Sequence, residues 1–200
     1  MNVVQAIRER RAVRDFASQP VSQAALRQLI SAASWAPSAM NAQPWHFTVV
    51  TDKAMLDEIS TRAKGWMLAN MPDMRQIGHF RDLLSDPSFH LFYRAPALVV
   101  ISVPAELQWA TEDCALAAQN LMLAATDIGL GTCWVGFAQG WLTSQEGREY
   151  LNLAPDKVVV APITVGYPKA PQPIVPRKAV AVSWIGPKES QDQPDPRPVH

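Results

Sequence analysis

Arginine is concentrated near the N-terminus, where Arg10, Arg11 and Arg14 lie at the end of a predicted helix and in the turn that follows it. Arg10 falls on the same helical face as Val3 and Ile7, so its guanidinium is expected to point toward the interior. A buried guanidinium needs an anion, and its planar fork suits phosphate or carboxylate. Taken alone, the cluster favours the plainer interpretation of solvated surface charges paired with neighbouring acids, because exposed basic clusters are common.

A second pair of cations, Arg177 and Lys178, follows Pro176 in a proline-rich stretch after the last predicted strand. Proline restricts the backbone there, so both charges are presented with little flexibility. Together with the N-terminal arginines, this pair could complete a phosphate cradle from distant parts of the chain.

Two further segments could contact a ligand. The loop 36–47 supplies polar side chains between two prolines, and fixed polar groups on an ordered loop can orient a flat heterocycle. The alternative is a plain connection between a helix and a strand. Gly136 lies within a predicted strand, where glycine marks either a ligand close to the backbone or tight packing.

Apolar spacing, caps and breakers predict a mixed α and β domain that positions these segments. Five helices are predicted: at 3–10, from a Ser22 cap to before Pro37, from an Asp52 cap to 64, at 111–128 and near 143–151. Four strands are predicted, at 47–51, 97–103, 133–137 and 158–165. The helix 111–128 is apolar on almost every side, which predicts a central position or a place in a subunit interface. Residues 65–94 are weakly periodic, typical of a cover over a site or of an exposed excursion.

The composition bounds the class of protein. A chain of 200 residues and 22.0 kDa suits one domain. Basic and acidic residues number 18 each, which argues against nucleic acid or an anionic membrane as a main partner. Charged residues make up only 18% and there are seven Trp, so extra burial in an oligomer interface is expected.

Several familiar features are missing from the sequence. The N-terminus has no apolar run of signal-peptide length, and no stretch approaches a membrane span. Cys114 and Cys133 form no Cys-x-x-Cys pair, which fits a reduced, cytoplasmic protein. His79 and His90 could share a metal with nearby aspartates, but the loose spacing favours ordinary polar loop residues, and no metal site is expected.

The segments described above, in this order and spacing, resemble the flavin-dependent nitroreductase family. The matching segments run from residue 3 to about 186 and include 10–16 (R-R-A-V-R-D-F), 36–47 (A-P-S-A-M-N-A-Q-P-W-H-F), 94–96, 129–136, 166–168 and 177–178. The resemblance implies an α+β fold, with a central mixed or antiparallel sheet flanked by helices, in an intertwined homodimer that holds two FMN molecules at its interface. The domain would span 1–187, with a lid-like excursion at 65–94 and a disordered proline-rich tail at 188–200.

The resemblance also implies which residues contact FMN: Arg10, Arg11, Ala12, Arg14, Pro37, Ser38, Asn41, Trp134, Val135, Gly136 and Arg177. Arg10 and Arg177 would hold the phosphate, with Arg11 and Lys178 beside them. Arg14 would lie near the flavin pyrimidine edge, where a cation stabilises the anionic reduced ring. Pro37, Ser38 and Asn41 would reach the FMN of the partner subunit, and the backbone near Trp134 to Gly136 would offer an N–H toward N5. Ala12 departs from the family, which often has Ser there, so one donor to phosphate is missing.

The implied activity has two half-reactions, in which NADH or NADPH reduces the flavin and a nitroaromatic, quinone or activated alkene then reoxidises it. The flavin supplies the chemistry, so no catalytic side chain is named. Residues 65–94 would roof the pocket of this small-molecule acceptor. The alternatives are a dehalogenase or dehydrogenase of the same fold and a flavin-binding module without turnover. A DNA-binding regulator is disfavoured by the zero net charge.

Overall fold

The computed structural model of the chain describes residues 1–70 and 78–186, and the predicted tail at 188–200 lies outside them. The helices and strands, in chain order, are α1 Val3–Glu9, α2 Gln23–Ser34, β1 His46–Val50, α3 Lys53–Asn70, α4 Gly78–Ser85, β2 Ala97–Pro104, α5 Ala110–Asp127, β3 Gly131–Trp134, α6 Gln139–Thr143, α7 Gln145–Tyr150 and β4 Lys157–Gly166. Helices and an antiparallel sheet are therefore mixed along the chain, and the predicted α+β class is confirmed.

The four strands form one sheet in the order β1-β2-β4-β3, and every neighbouring pair is antiparallel. The segment after α1 adds a short parallel bridge between Ala12 and Thr132, where the Val13 N–H donates to the Thr132 carbonyl at 2.9 Å. A second bridge joins Phe16 to Pro168. The N-terminal arginine segment is thereby fixed along the β3 edge of the sheet.

The sheet lies between two apolar clusters. Alternate side chains of β2 point to opposite faces, so Val99 and Ile101 pack with α2 and α5, while Leu98 and Val100 pack with α3 and α6. This burial on both faces explains why β2 reads as a continuous apolar run rather than an alternating one.

Helix boundaries follow local capping chemistry. The Ser22 hydroxyl accepts from the Ala25 N–H at 3.1 Å, and the Asp52 carboxylate accepts from the Met55 N–H at 2.8 Å, which confirms both predicted starts. Gly129 follows α5 with φ +77°, the left-handed conformation that suits glycine. The helix that starts after Asp52 runs to Asn70, beyond its predicted end, because Trp66 and Met67 pack against the core.

One predicted strand ends earlier than expected. The predicted strand 133–137 ends at Trp134, and Gly136–Ala138 form a 3-10 turn. The opposite residue of β4 is Pro162, whose carbonyl accepts from Val135 at 2.8 Å but which has no N–H to return, so the ladder ends there. The predicted helix near 143–151 is present as α7, which Ser144 caps, and a further short helix that was not predicted, α6, ends just before it.

The predicted inward face of α1 was also wrong. Only Ala6 is buried, against α5, while Val3 and Ile7 are 67% and 53% exposed in the single chain. The apolar residues of α5 are mostly buried as predicted, but Leu116 is 44% exposed. The chain alone thus leaves apolar side chains of α1 and α5 in contact with water.

Candidate active site

Three guanidinium groups from distant parts of the chain converge beside the end of α1. The pKa of Arg10 is lowered, first by burial and then by the positive charges of Arg177 and Arg11. Arg11 turns back on the chain and donates to the carbonyls of Pro173 at 3.3 Å and Arg10 at 2.8 Å. Arg177 therefore lies close enough to Arg10 for their charges to repel each other.

The simpler interpretation of these arginines, as charges paired with adjacent acids, was wrong for the part of the chain described. Asp15 pairs instead with Lys169 at 2.7 Å, and Glu9 accepts from Gln5 at 2.8 Å. Among residues 1–70 and 78–186, no salt bridge includes any of the four arginines Arg10, Arg11, Arg14 or Arg177. Neighbouring like charges repel, so an anion bound between them would be stabilised.

A cavity of about 580 Å³ adjoins this cluster on the side of Arg14. That volume lies in the range typical of small-molecule sites. Its lining comes from the segment after α1, from the region around α4 and from the end of β3: Arg14, Phe80, Leu83, Tyr93, Cys133, Trp134, Val135, Gly136 and Phe137. The predicted residues Arg14 and 134–136 thus lie together, and part of the predicted excursion 65–94 covers them.

The walls of the cavity are aromatic and carry one cation. The guanidinium carbon of Arg14 lies 6.0 Å from the ring centroid of Tyr93. Burial raises the pKa of the Cys133 thiol and of the Tyr93 phenol, so both groups stay protonated at neutral pH. Cys133 and Leu83 were not identified from the sequence; the alternation of β3, which turns Cys133 away from the α5 side, was the available signal for the thiol.

Gly136 faces open space. A Cβ built at this position would meet no atom of the described chain within 4 Å, so tight packing does not explain the glycine. Gly131 contrasts with it, because a Cβ there would lie 2.5 Å from the Val13 side chain. The predicted approach of a ligand to the backbone at Gly136 is the interpretation that the space permits.

The loop 36–47 is held in an unusual conformation by its own polar groups. The Ser38 hydroxyl accepts from the Gln43 N–H at 3.0 Å, and the Asn41 side chain accepts from the Gln43 amide at 3.1 Å. Met40, Asn41 and Gln43 all have φ near +50°, a region that non-glycine residues occupy only when the surroundings hold them. Pro37 and Asn41 are exposed and Ser38 is half-buried.

Within one chain, this loop lies far from the arginine cluster. The Ala39 N–H donates to Asp113 in the first turn of α5, whereas the N-terminal amino group pairs with Asp127 in its last turn. Fourteen residues of helix span about 21 Å. The two groups of predicted site residues therefore lie near opposite ends of α5 within one chain.

The remaining predicted residues have limited roles in the geometry. Ala12 is half-buried in its bridge to Thr132, and Lys178 is exposed. Within the described portion, no group of three or more His, Cys, Asp or Glu could hold a metal ion. His90 bonds to Asp57 instead, and the side chain of His79 lies outside that portion.

The fold and the site together define an α+β domain that can hold a small molecule with an anionic end and a flat body. The chain belongs to the nitroreductase family, whose model matches residues 7–167. No helix in the described ranges is long and apolar enough to cross a membrane.

Relatives and solved structures support this assignment. Nitrobenzene nitroreductase of Ectopseudomonas oleovorans is 32% identical in an alignment that covers 80% of this chain and 84% of that protein. Iodotyrosine deiodinase of Thermotoga neapolitana is 27% identical in an alignment that covers 88% of this chain and 94% of that protein. A crystal structure of a nitroreductase with bound FMN from Bacteroides fragilis superimposes with a TM-score of 0.78 at 30% identity, covering 94% of this chain and all of that one.

Proposed function

We propose that this protein is an FMN-dependent oxidoreductase that takes electrons from NADH or NADPH and passes them to a nitroaromatic, a quinone or an activated alkene. The observation that carries the proposal is the convergence of Arg10, Arg11 and Arg177, without an acidic partner in the described residues, beside an aromatic cavity of about 580 Å³. A related nitroreductase structure contains FMN, whose phosphate and flat ring match these two parts.

The residues present fit this cofactor. Arg10 and Arg177 would hold the phosphate by charge-assisted hydrogen bonds. Arg11 would contribute mainly charge, because its guanidinium already donates to carbonyls of the chain. When bound, FMN would supply hydride acceptance and donation at N5.

Arg14 and the turn at Gly136 would position the ring. Arg14 would place a positive charge where the reduced ring carries negative charge. The first N–H groups of a helical turn have no partner within the turn, and Gly136 begins the 3-10 turn at the cavity. Its N–H would face the reacting edge of the ring, with the backbone of Trp134 and Val135 beside it.

We propose further that the functional unit is a homodimer. Pro37, Ser38 and Asn41 lie beside the first turn of α5, whereas the start of the N-terminal segment lies beside its last turn about 21 Å away, so these loop residues would complete the site of the partner subunit. The exposed apolar side chains of α1 would be buried in the same interface, as would a large part of the C-terminal segment.

The C-terminal segment 173–186 supports this arrangement. It runs without helix or strand, and its apolar side chains are exposed, with Val180, Val182 and Trp184 at 85%, 59% and 91%. Their alternation suits a strand with one apolar face. β1 is an edge strand, and beside it lies a groove lined by Leu26, Ile30 and other residues of α2 and β1 that would receive the partner's segment.

A reduced compartment suits the protein. Cys114 and Cys133 are both free thiols and both buried. We propose the cytoplasm as its location, because unpaired thiols persist there.

The first test is the visible spectrum of the purified protein, after reconstitution with FMN where necessary, followed by anaerobic addition of NADH and then NADPH. We expect a flavin band that bleaches with at least one nucleotide and returns when nitrobenzene or a quinone is added. Absence of a band after FMN soaking would refute the cofactor assignment. A band that bleaches with neither nucleotide would refute the reductase activity and favour a flavin-binding module.

A further inference from the structure

The turn at residues 90–94 places Tyr93 in the wall of the cavity and holds it in a costly conformation. Tyr93 and Arg94 have φ of +55° and +54°, in the left-handed region that non-glycine residues avoid. Two such residues in succession persist only where other contacts fix them. The contacts that do so come from one buried histidine and from one face of α3.

His90 supplies the internal contacts of this turn. Its side chain is 9% exposed, and its Nδ1 accepts from the N–H of Phe92 at 3.1 Å and of Arg94 at 3.4 Å. The opposite nitrogen, Nε2, lies 3.1 Å from a carboxylate oxygen of Asp57. Because Nδ1 accepts, the neutral ring carries its proton on Nε2 and donates it to Asp57.

Helix α3 forms hydrogen bonds to the start of the turn and to the residue before it, through side chains on the same face as Asp57. The Ser60 hydroxyl is buried and accepts from the Leu91 N–H at 2.8 Å. Lys64 donates to the carbonyl of Phe89 at 2.6 Å. Positions 57, 60 and 64 are spaced as one helical face, so α3 anchors the base of the turn while His90 orders its tip.

We propose that His90 is a positioning residue for the acceptor pocket. It fixes the part of the wall formed by Tyr93 only while the Nδ1 of His90 is unprotonated. This inference rests on the proposed function, because it takes the cavity to be the place where the acceptor binds. Protonation gives both ring nitrogens a hydrogen, so the N–H groups of Phe92, which is buried, and of Arg94, which is exposed, lose their acceptor and Nδ1–H points at them. The turn would then relax and move Tyr93 away from the cavity.

The charges around His90 set the pH range of this effect. Burial lowers the pKa of His90, the positive charges of Arg94 and Lys53 lower it further, and Asp57 opposes them. The proton is therefore gained below the ordinary value of about 6.5. At neutral pH the turn is ordered, and loss of order is expected only as the pH falls below that ordinary value.

Two neutral amide variants separate the two nitrogens, because each places a polar atom near the position of one of them. In His90→Asn, the side-chain oxygen can take the place of Nδ1 and keep accepting from Phe92 and Arg94 without titrating. In His90→Gln, the longer side chain can keep the link to Asp57 but leaves those two N–H groups without their acceptor. Both variants have the same charge at every pH.

The kinetic experiment uses the FMN-loaded protein with its effective nucleotide and nitrobenzene. For the wild type, we expect the KM for nitrobenzene to rise about tenfold between pH 7.5 and pH 5, the factor that corresponds to losing one buried hydrogen bond. His90→Asn should keep a low KM at both pH values, and His90→Gln a high KM at both. Equal KM values and equal pH profiles for the two variants would overturn the inference.

Amide hydrogen exchange gives a readout that needs no turnover. The amides of Phe92 and Arg94 should be protected at pH 7.5 in the wild type and in His90→Asn, and exposed in His90→Gln. Nitrogen NMR of the ring should show the Nε2–H tautomer. Failure to bind FMN would refute the proposed function but leave this measurement valid, whereas equal protection in the two variants would overturn the positioning role whatever the activity.

Discussion

Arg10 gives the sharpest test of the phosphate site, because its removal should affect the free and the FMN-bound protein in opposite directions. In the free chain, its guanidinium is partly buried beside Arg11 and Arg177. Arg10→Met keeps the aliphatic part of the side chain and removes a repelling charge. Solvent screens that repulsion, so the free energy of unfolding of the free protein should stay the same or rise by less than about 1 kcal/mol.

The FMN-bound protein should lose affinity. A hydrogen bond to a charged group contributes about 1.5–3 kcal/mol, which is a rise in Kd of roughly 10- to 150-fold. The phosphate retains Arg177, so binding should weaken rather than vanish. Arg11→Met should have a smaller effect, because the Arg11 guanidinium already donates to two carbonyls of the chain.

The assay is titration of FMN fluorescence against the apoprotein, beside urea unfolding of the same apoprotein. The matched control is Arg81→Met, which removes an exposed arginine of α4 and should leave both quantities unchanged. A Kd for Arg10→Met within twofold of the wild type would refute the phosphate site. A loss of more than about 1 kcal/mol in the apoprotein would show instead that Arg10 has a structural role.

Three further changes have definite expected outcomes. Gly136→Ala should leave the stability of the apoprotein unchanged but raise the Kd for FMN about tenfold, because its Cβ enters open space in front of the backbone. Gly131→Ala should instead lower the free energy of unfolding in urea by about 1–3 kcal/mol, because its Cβ meets the Val13 side chain. The reverse pattern would contradict the site. Burial raises the pKa of Cys114 to about 12, so above pH 8.5 the unfolded chain releases a proton that the folded chain keeps, and the free energy of unfolding should fall by up to about 1.4 kcal/mol per pH unit through this thiol. Cys114→Ala should flatten the curve by that amount between pH 8.5 and 10, and equal slopes would contradict the shift. Trp184→Ser should shift the dimer toward monomer in light scattering and weaken FMN binding, and an unchanged dimer with unchanged affinity would exclude this segment from the interface.

The amino-acid sequence determined the features that depend on a few neighbouring residues. The starts at Ser22 and Asp52 follow from side chains that satisfy the first N–H groups of a helix, and Gly129 follows from the left-handed conformation at the end of α5. The apolar runs of β2 and β4 indicated buried strands. Motif order and spacing were enough to indicate the family, because they record a whole fold rather than one local preference.

The sequence alone could not predict local structure that depends on contacts with residues distant along the chain. The strand predicted over 133–137 stops at Trp134 because Pro162, on another strand, has no N–H to offer. The prediction that α1 turns an apolar face toward the interior of the chain was wrong, because apolar spacing identifies a face that is suited to burial but not the element that packs against it. His90 has no motif, and its importance lies in contacts with Asp57 and with a turn that no periodicity describes.

The candidate site divides in the same way. Residue types allowed an anion site and a flat ligand, because guanidinium groups suit anions and fixed polar groups on a loop can orient a flat heterocycle whatever the fold. Only the tertiary structure shows that Arg177 lies near Arg10, and that Ser38 and Asn41 lie near the end of α5 that is opposite to this cluster. The physical reason is that residues distant along the chain are brought together or kept apart by packing of the whole sheet and its helices, and local sequence contains no measure of that distance.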